Sequence, residues 1–386
     1  MKKKEVDNLI LEKQLGSGAF GVVFLTSIKG DDKTKLATKR LEREQIQGTK
    51  LMDYFKNEIE IMQRLDHPNI IKFHSLKKTK KFFYLAMEFC NGGGLDEALE
   101  KYQEKYGKPF SEEIVQYLMR QIIDAFRYIH SKRVIHRGIK LENILLNFES
   151  EKDKEELNMM KATVKVADFG FACYISNSGS LYSTVGSPIN MDPVILKKKN
   201  DASKKARQLG YDQKADIWSL GTICYEMLIG KSAFDAEDME ELVDKIEKGT
   251  YIIPTSLSHE VVSFINGMLQ YDSQKRLSSD ELIKHPFLTK EVKDFHPIDL
   301  NRVSKKVSEE GLEINTRNNK SIWAIFNAND EKKLLGINRK NALKEEDLEV
   351  IFEDLMLPSE GIPGNPIEKA NEEDPKENED EDKKEE

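Results

Sequence analysis

His136-Arg137-Gly138-Ile139-Lys140-Leu141-Glu142-Asn143 decides how this chain is read. At the centre of this polar run stands a residue with no side chain, with Lys140 two positions and Asn143 five positions beyond it. Upstream, Ser111 to Ile129 carries apolar residues at 114, 118, 122, 125, 126 and 129, the spacing of a helix with one face in a core, and it delivers the chain to His136. Downstream, the strand-like Val164-Lys165-Val166-Ala167 runs into Asp168-Phe169-Gly170. Further on, Asp216-Ile217-Trp218-Ser219-Leu220-Gly221 opens an almost wholly apolar helix.

Ahead of this region, Leu15-Gly16-Ser17-Gly18-Ala19-Phe20-Gly21-Val22-Val23 places three glycines between two strand-like runs. Glycine lets main-chain N–H groups approach a phosphate without a Cβ in the way. Leu36-Ala37-Thr38-Lys39 reads as a further strand bearing a lysine. In Leu51 to Leu65 the helical apolar stripe 51, 54/55, 58, 62, 65 includes Glu58, a charge that faces inward and needs a cation, and Lys39 is the candidate. That helix ends before His67-Pro68, because a residue preceding proline is biased out of the helical region. Phe82 to Phe89 reads as a buried strand ending in Met87-Glu88-Phe89-Cys90, and Asn91-Gly92-Gly93-Gly94 follows as a hinge.

Taken in order over residues 9 to 288, these segments resemble the eukaryotic protein kinases, and Lys140 points to the serine/threonine branch. Arg276 within Leu269 to Leu277 and the closing His285-Pro286-Phe287 extend the match. The resemblance implies an α+β, bilobal protein-kinase-like fold: a small β-rich N-lobe over about 9–88 and a larger helical C-lobe over about 91–288. It implies ATP and Mg2+ as cofactors, with the metal on Asn143 and Asp168 and catalytic roles for Lys140, Asn143 and Asp168. The nucleotide would be held by Leu15, Gly16, Gly18, Gly21, Val23, Ala37, Lys39, Glu58, Glu88, Cys90 and Leu145.

The chain departs from the family pattern at a few places. Gly138 stands where the family has the aspartate that accepts or orients the substrate hydroxyl proton, a contribution of about 10²–10⁴-fold, or roughly 3–5 kcal/mol of barrier. The activation segment closes in Asp192-Pro193-Val194 instead of Ala-Pro-Glu, so Val194 leaves Arg276 without the family's partner, and Asp192 is the candidate substitute. Asn190 replaces a tyrosine of the substrate-facing loop, and Gly94 replaces an acid. These losses fall on peptide handling and segment closure, whereas nucleotide contacts remain. The expectation is an ATP-binding pseudokinase, or strongly impaired kinase, acting as a signalling scaffold or allosteric regulator. The alternative is an active serine/threonine kinase, since a loose transition state leans mostly on positioning and charge neutralisation.

A chain of 386 residues leaves roughly a hundred beyond such a domain. The net charge of -8 lies mostly in Pro366 to Glu386, where eleven acidic residues face four basic ones. Residues 361–386 therefore read as an acidic, disordered tail, and 289–360 as a partly ordered extension in which Ser321 to Phe326 and the amphipathic Leu348, Ile351, Phe352 and Leu355 pack on the large lobe or, as the alternative, form a partner site. Glu149 to Lys161 reads as an extended surface turn. Lys197 to Arg207, with six basic residues and one acid, reads as a solvated loop or as a dock for an acidic partner. Ser176, Ser178, Ser180, Ser183 and Thr184 are candidate phosphorylation sites, with Arg137 placed to receive a phosphate. No apolar run reaches the roughly 18 residues that span a bilayer, and the N-terminus lacks a signal-peptide pattern. Cys90, Cys173 and Cys224 suit a reducing compartment. The chain thus reads as soluble and cytoplasmic, or nuclear, with a protein substrate or regulated protein as partner and no nucleic acid.

Overall fold

Alternating strand patterns ahead of residue 90 and helical periods beyond it produce two compact units. The computed structural model describes residues 4–18, 21–175, 181, 185–200, 210–296 and 313–315. The small unit takes the described residues up to 64 together with 71–90. Its strands are β1 (Lys4–Val6), β2 (Leu9–Gly18), β3 (Gly21–Ile28), β4 (Asp31–Glu42), β5 (Phe73–Lys78) and β6 (Phe82–Glu88). They form one antiparallel sheet in the order β1-β2-β3-β4-β6-β5, so the sheet begins ahead of residue 9. Leu9, Leu36 and Ala86 cluster as one small core, and Val6, Leu11 and Tyr84 as another. Between β4 and β5 lie the short α1 (Arg43–Ile46) and then α2 (Lys50–Arg64), which buries Phe55, Ile61 and Met62 along its apolar stripe.

The larger unit is mainly helical, which completes the α+β composition that the resemblance implies. The two-residue β7 (Gly93–Gly94) leads into α3 (Leu95–Tyr106) and α4 (Glu112–Ser131). Ser111 starts α4 because its hydroxyl accepts the N–H of Ile114, with Glu112 and Glu113 in the first turn where helix N-termini favour acids. Then come β8 (Val134–Ile135), β9 (Ile144–Asn147), α5 (Glu151–Glu156), β10 (Thr163–Val166) and β11 (Cys173–Tyr174). α6 (Pro193–Asn200), α7 (Lys214–Ile229), α8 (Met239–Lys248), β12 (Thr250–Ile252), α9 (His259–Met268) and β13 (Glu313–Asn315) follow. α7 is buried almost all round, as its apolar sequence requires, and Gly230 ends it in a left-handed cap.

Two expectations need correction here. The stretch 149–161 is not a simple turn. Ser150 caps α5 through the N–H of Asp153, the α5 carbonyl of Glu156 accepts from Lys105 and Tyr106 of α3, and Met159 is buried. The basic stretch from Lys197 is not all loop either, because α6 runs through Asn200. Residues 176–180, 182–184, 201–209, 321–326, 348–355 and 361–386, which carry several of the readings above, lie outside the described residues. Among the described residues no helix is long and apolar enough to cross a membrane, and all three cysteines are free thiols.

Candidate nucleotide and phosphotransfer site

α4 and β8 bring the chain to His136, and a carboxylate from α7 fixes the loop that follows. Asp216, 1% exposed, accepts the main-chain N–H groups of His136 (2.9 Å) and Arg137 (3.0 Å) and bonds His130 Nε2 (3.0 Å). Burial opposes its charge, but the hydrogen bond and charge of His130, helped by His136, outweigh burial and hold the carboxyl below the usual range. The His136 ring is buried, and burial keeps its pKa below that of a free imidazole despite the Asp216 and Asp168 charges. The neutral ring uses both nitrogens: Nε2 donates to Ala167 O at 3.1 Å and Nδ1 accepts the Gly138 N–H at 3.2 Å.

Around Gly138 the loop has the shape of one that carries a side chain. Gly138 does not adopt a left-handed φ, and a Cβ added there would meet His136 and Phe171 at 3.6 Å, ordinary contact distance. Asn143 Nδ2 donates to Gly138 O at 2.7 Å and ties the two ends of the loop together. That bond leaves the amide oxygen of Asn143 as a hard oxygen donor. Asp168, after β10, supplies a carboxylate from a left-handed position (φ 62°), with one oxygen accepting the Gly170 N–H at 3.4 Å. An amide oxygen and a carboxylate in one unit suit magnesium, which prefers oxygen ligands and keeps waters and phosphates in its shell. When bound, such an ion neutralises phosphate charge. Lys140 is part-exposed, with Nζ 3.7 Å from Glu142.

Within the small unit, Lys39 Nζ lies 3.2 Å from Glu58 Oε1 and 3.3 Å from Oε2. Glu58 is 3% exposed, so α2 turns this charge inward. β3–β4 pairing sets Val23 opposite Lys39 and Leu25 opposite Ala37, which puts Val23, Ala37 and Lys39 on one face of the sheet. Gly16 pairs with Val23 and Gly18 with Gly21, while Leu15 is bulged out of register and 40% exposed. Gly21 is required by geometry: at φ 126° a Cβ would lie 2.1 Å from Arg40 O. At Gly16 the same atom meets nothing within 4 Å, which leaves the main chain open to a phosphate. Glu88 ends β6 opposite Leu36, and its main-chain N–H donates to Lys72 O at 2.9 Å. Cys90 is buried beyond it. Leu145 belongs to the larger unit, on β9 opposite Gly94.

The segment closing at Asp192-Pro193-Val194 is anchored by the residue the sequence singled out as substitute. Arg276, with a fully buried side chain, pairs through Nη1 with Asp192 Oδ2, and its other contacts are carbonyls of Gln270 (2.6 Å), Lys214 (2.8 Å) and Tyr271 (3.3 Å) and the face of Trp218 at 5.0 Å. The other Asp192 oxygen accepts the Val194 N–H at 2.6 Å. Asn190 is buried, donates to Thr222 Oγ1 at 2.9 Å and accepts from Ser219 at 2.6 Å through its carbonyl. Space beside Gly94 is filled by Asp96, whose Oδ1 lies 2.2 Å from where a Cβ would stand. Burial first, then the charges of Glu142 and Glu97, push the Asp96 carboxyl up. Two contributors escaped the sequence reading. His130, one turn after Phe126 on the buried stripe of α4, braces Asp216, and Tyr211 Oη takes a bond from Arg137 Nη1 at 3.3 Å. The helical period marks His130 as inward, whereas Tyr211 carries no local signal.

A family model described as "Protein kinase domain" matches residues 9–288. Among curated proteins, the chain is 33% identical over 277 residues to serine/threonine-protein kinase ULK1 of Homo sapiens, covering 71% of this chain and 24% of that protein. It is 30% identical over 289 residues to serine/threonine-protein kinase atg1 of Dictyostelium discoideum, covering 74% and 40%. It is 32% identical over 289 residues to an Aurora kinase of the same organism, covering 75% and 68%. The chain thus spans about a quarter to two fifths of the first two relatives.

Proposed function

The chain belongs to the protein kinase family, with its two-lobed α+β fold, and on that premise we propose that it is an ATP-binding, magnesium-binding pseudokinase or strongly impaired kinase. It would act as a signalling scaffold or allosteric regulator of a protein partner in the cytoplasm. The observation that carries this reading is Gly138: a loop held by Asp216, His136 and Asn143 offers no proton acceptor at its centre. Lys39, Glu58, Asn143 and Asp168 retain the groups that hold phosphates and metal, so binding outlasts chemistry. Those retained groups also support a second reading, a slow serine/threonine kinase in which positioning and charge neutralisation do the catalysis. Titration of magnesium ATP into the natural chain, Lys39→Ala and Gly138→Asp, followed by phosphate transfer from each to a generic protein substrate, separates them. The expected result is binding by the natural chain and Gly138→Asp, weak binding by Lys39→Ala, and transfer by Gly138→Asp alone. Absence of binding by the natural chain would refute the nucleotide reading.

A further inference from the structure

β12 is three residues long and leaves the left-handed cap at Gly249 with edge main-chain groups that a neighbouring strand can pair. One carbonyl is taken from within the unit, where Tyr225 Oη donates to Ile252 O at 2.5 Å. Among the described residues, the strand that pairs with β12 comes from far along the chain: β13 lies antiparallel, with Thr250 opposite Asn315, Tyr251 opposite Ile314 and Ile252 opposite Glu313. We propose that the edge of β12 is a strand-docking site that the chain fills in cis with Glu313–Asn315, strapping its C-terminal extension to the larger unit. The proposal is independent of whether Gly138 permits phosphate transfer.

Occupancy of that edge is felt at the 192–196 segment through a line of packed rings. Tyr251, 2% exposed, meets Phe234 at 6.1 Å and Tyr225 at 5.7 Å between centroids. Phe234 stacks on Trp218 at 5.4 Å and 11°, and the Arg276 guanidinium lies over the Trp218 ring. Arg276 in turn holds Asp192, one residue before α6. Loop-closure entropy grows only slowly with length, so a distant strand can dock, but three residues of ladder make a marginal and reversible contact. Main-chain pairing of this kind is the chemistry by which extended segments add to a sheet edge.

Hydrogen exchange on the full chain tests it, comparing the natural protein with Ile314→Pro, which puts a proline at the middle of the three pairs, and Asn318→Pro, three residues beyond them in sequence. Ile314→Pro is expected to speed exchange at 250–252 by about tenfold or more and to raise it at 194–196, with Asn318→Pro matching the natural chain. Unchanged exchange at 250–252 would overturn the docking site. Faster exchange there with 194–196 unaffected would overturn the coupling. Independently, cysteines placed by Thr250→Cys and Asn315→Cys, directly opposite in register, are expected to cross-link on mild oxidation where Thr250→Cys with Asn318→Cys does not, and failure of the first pair would overturn the register.

Discussion

Asp192→Ala removes the carboxylate that pairs with Arg276 and strands a guanidinium whose side chain is wholly buried. Breaking a buried ion pair by deleting one partner costs about 3–5 kcal/mol, because the remaining charge stays desolvated. Here the carbonyls of Gln270, Lys214 and Tyr271 and the Trp218 ring still face the cation, which places the loss at the lower end. The variant also forfeits the 2.6 Å cap on Val194 N–H, worth about 1 kcal/mol. A total near 4 kcal/mol corresponds to a fall in Tm of about 8–16 °C for a domain of this size. Urea unfolding followed by tryptophan fluorescence measures it, with Arg127→Ala, a half-exposed surface arginine, as control. Adding Val194→Glu to Asp192→Ala returns an acid two residues along and is expected to recover part of the loss. A loss no greater than that of Arg127→Ala would refute the role given to the buried pair.

Gly138→Asp is expected to change stability by less than about 1 kcal/mol, since the backbone needs no left-handed φ and the new Cβ meets only ordinary contacts; a large fall in Tm would show the loop closed against a side chain. Asp216→Asn keeps the shape but turns an NH2 toward donors from His136, Arg137 or His130, so it should cost about 3 kcal/mol and speed exchange at the 136 and 137 amides. Glu260, held down to about 2 by His296 and Lys290 against its burial, gives stability that is complete above about pH 5 and lost as pH falls toward 2. Acid titration of unfolding should therefore show about 1–2 kcal/mol of that loss in the natural chain and not in Glu260→Gln, after allowing for the exposed partners.

Local chemistry made much of the molecule legible. The buried face of α4, the inward Glu58 on α2 and the apolar run of α7 each follow from residues a few positions apart, where spacing fixes the face. Glycines were readable as a pattern, but that Gly21 is sterically required and Gly138 is not depends on Arg40 and on the loop's φ values, which no spacing encodes. Asp192 could be singled out because Val194 broke the family pattern, whereas its union with Arg276 joins positions 84 residues apart. α5 was missed because it is short and polar without an apolar period, although Ser150 with Asp153 carried a capping signal. β13 has three residues and a partner some sixty positions away, so only the ladder reveals it.

A single-turnover experiment with the natural chain in excess over γ-labelled magnesium ATP bears most directly on Gly138, because it reports chemistry apart from substrate affinity and product release. Saturable nucleotide binding with no label reaching the chain or an added protein is the predicted result. Label transfer by the natural chain that Lys39→Ala abolishes would contradict it, and would mean that Lys140, Asn143 and Asp168 sustain catalysis without a base at position 138.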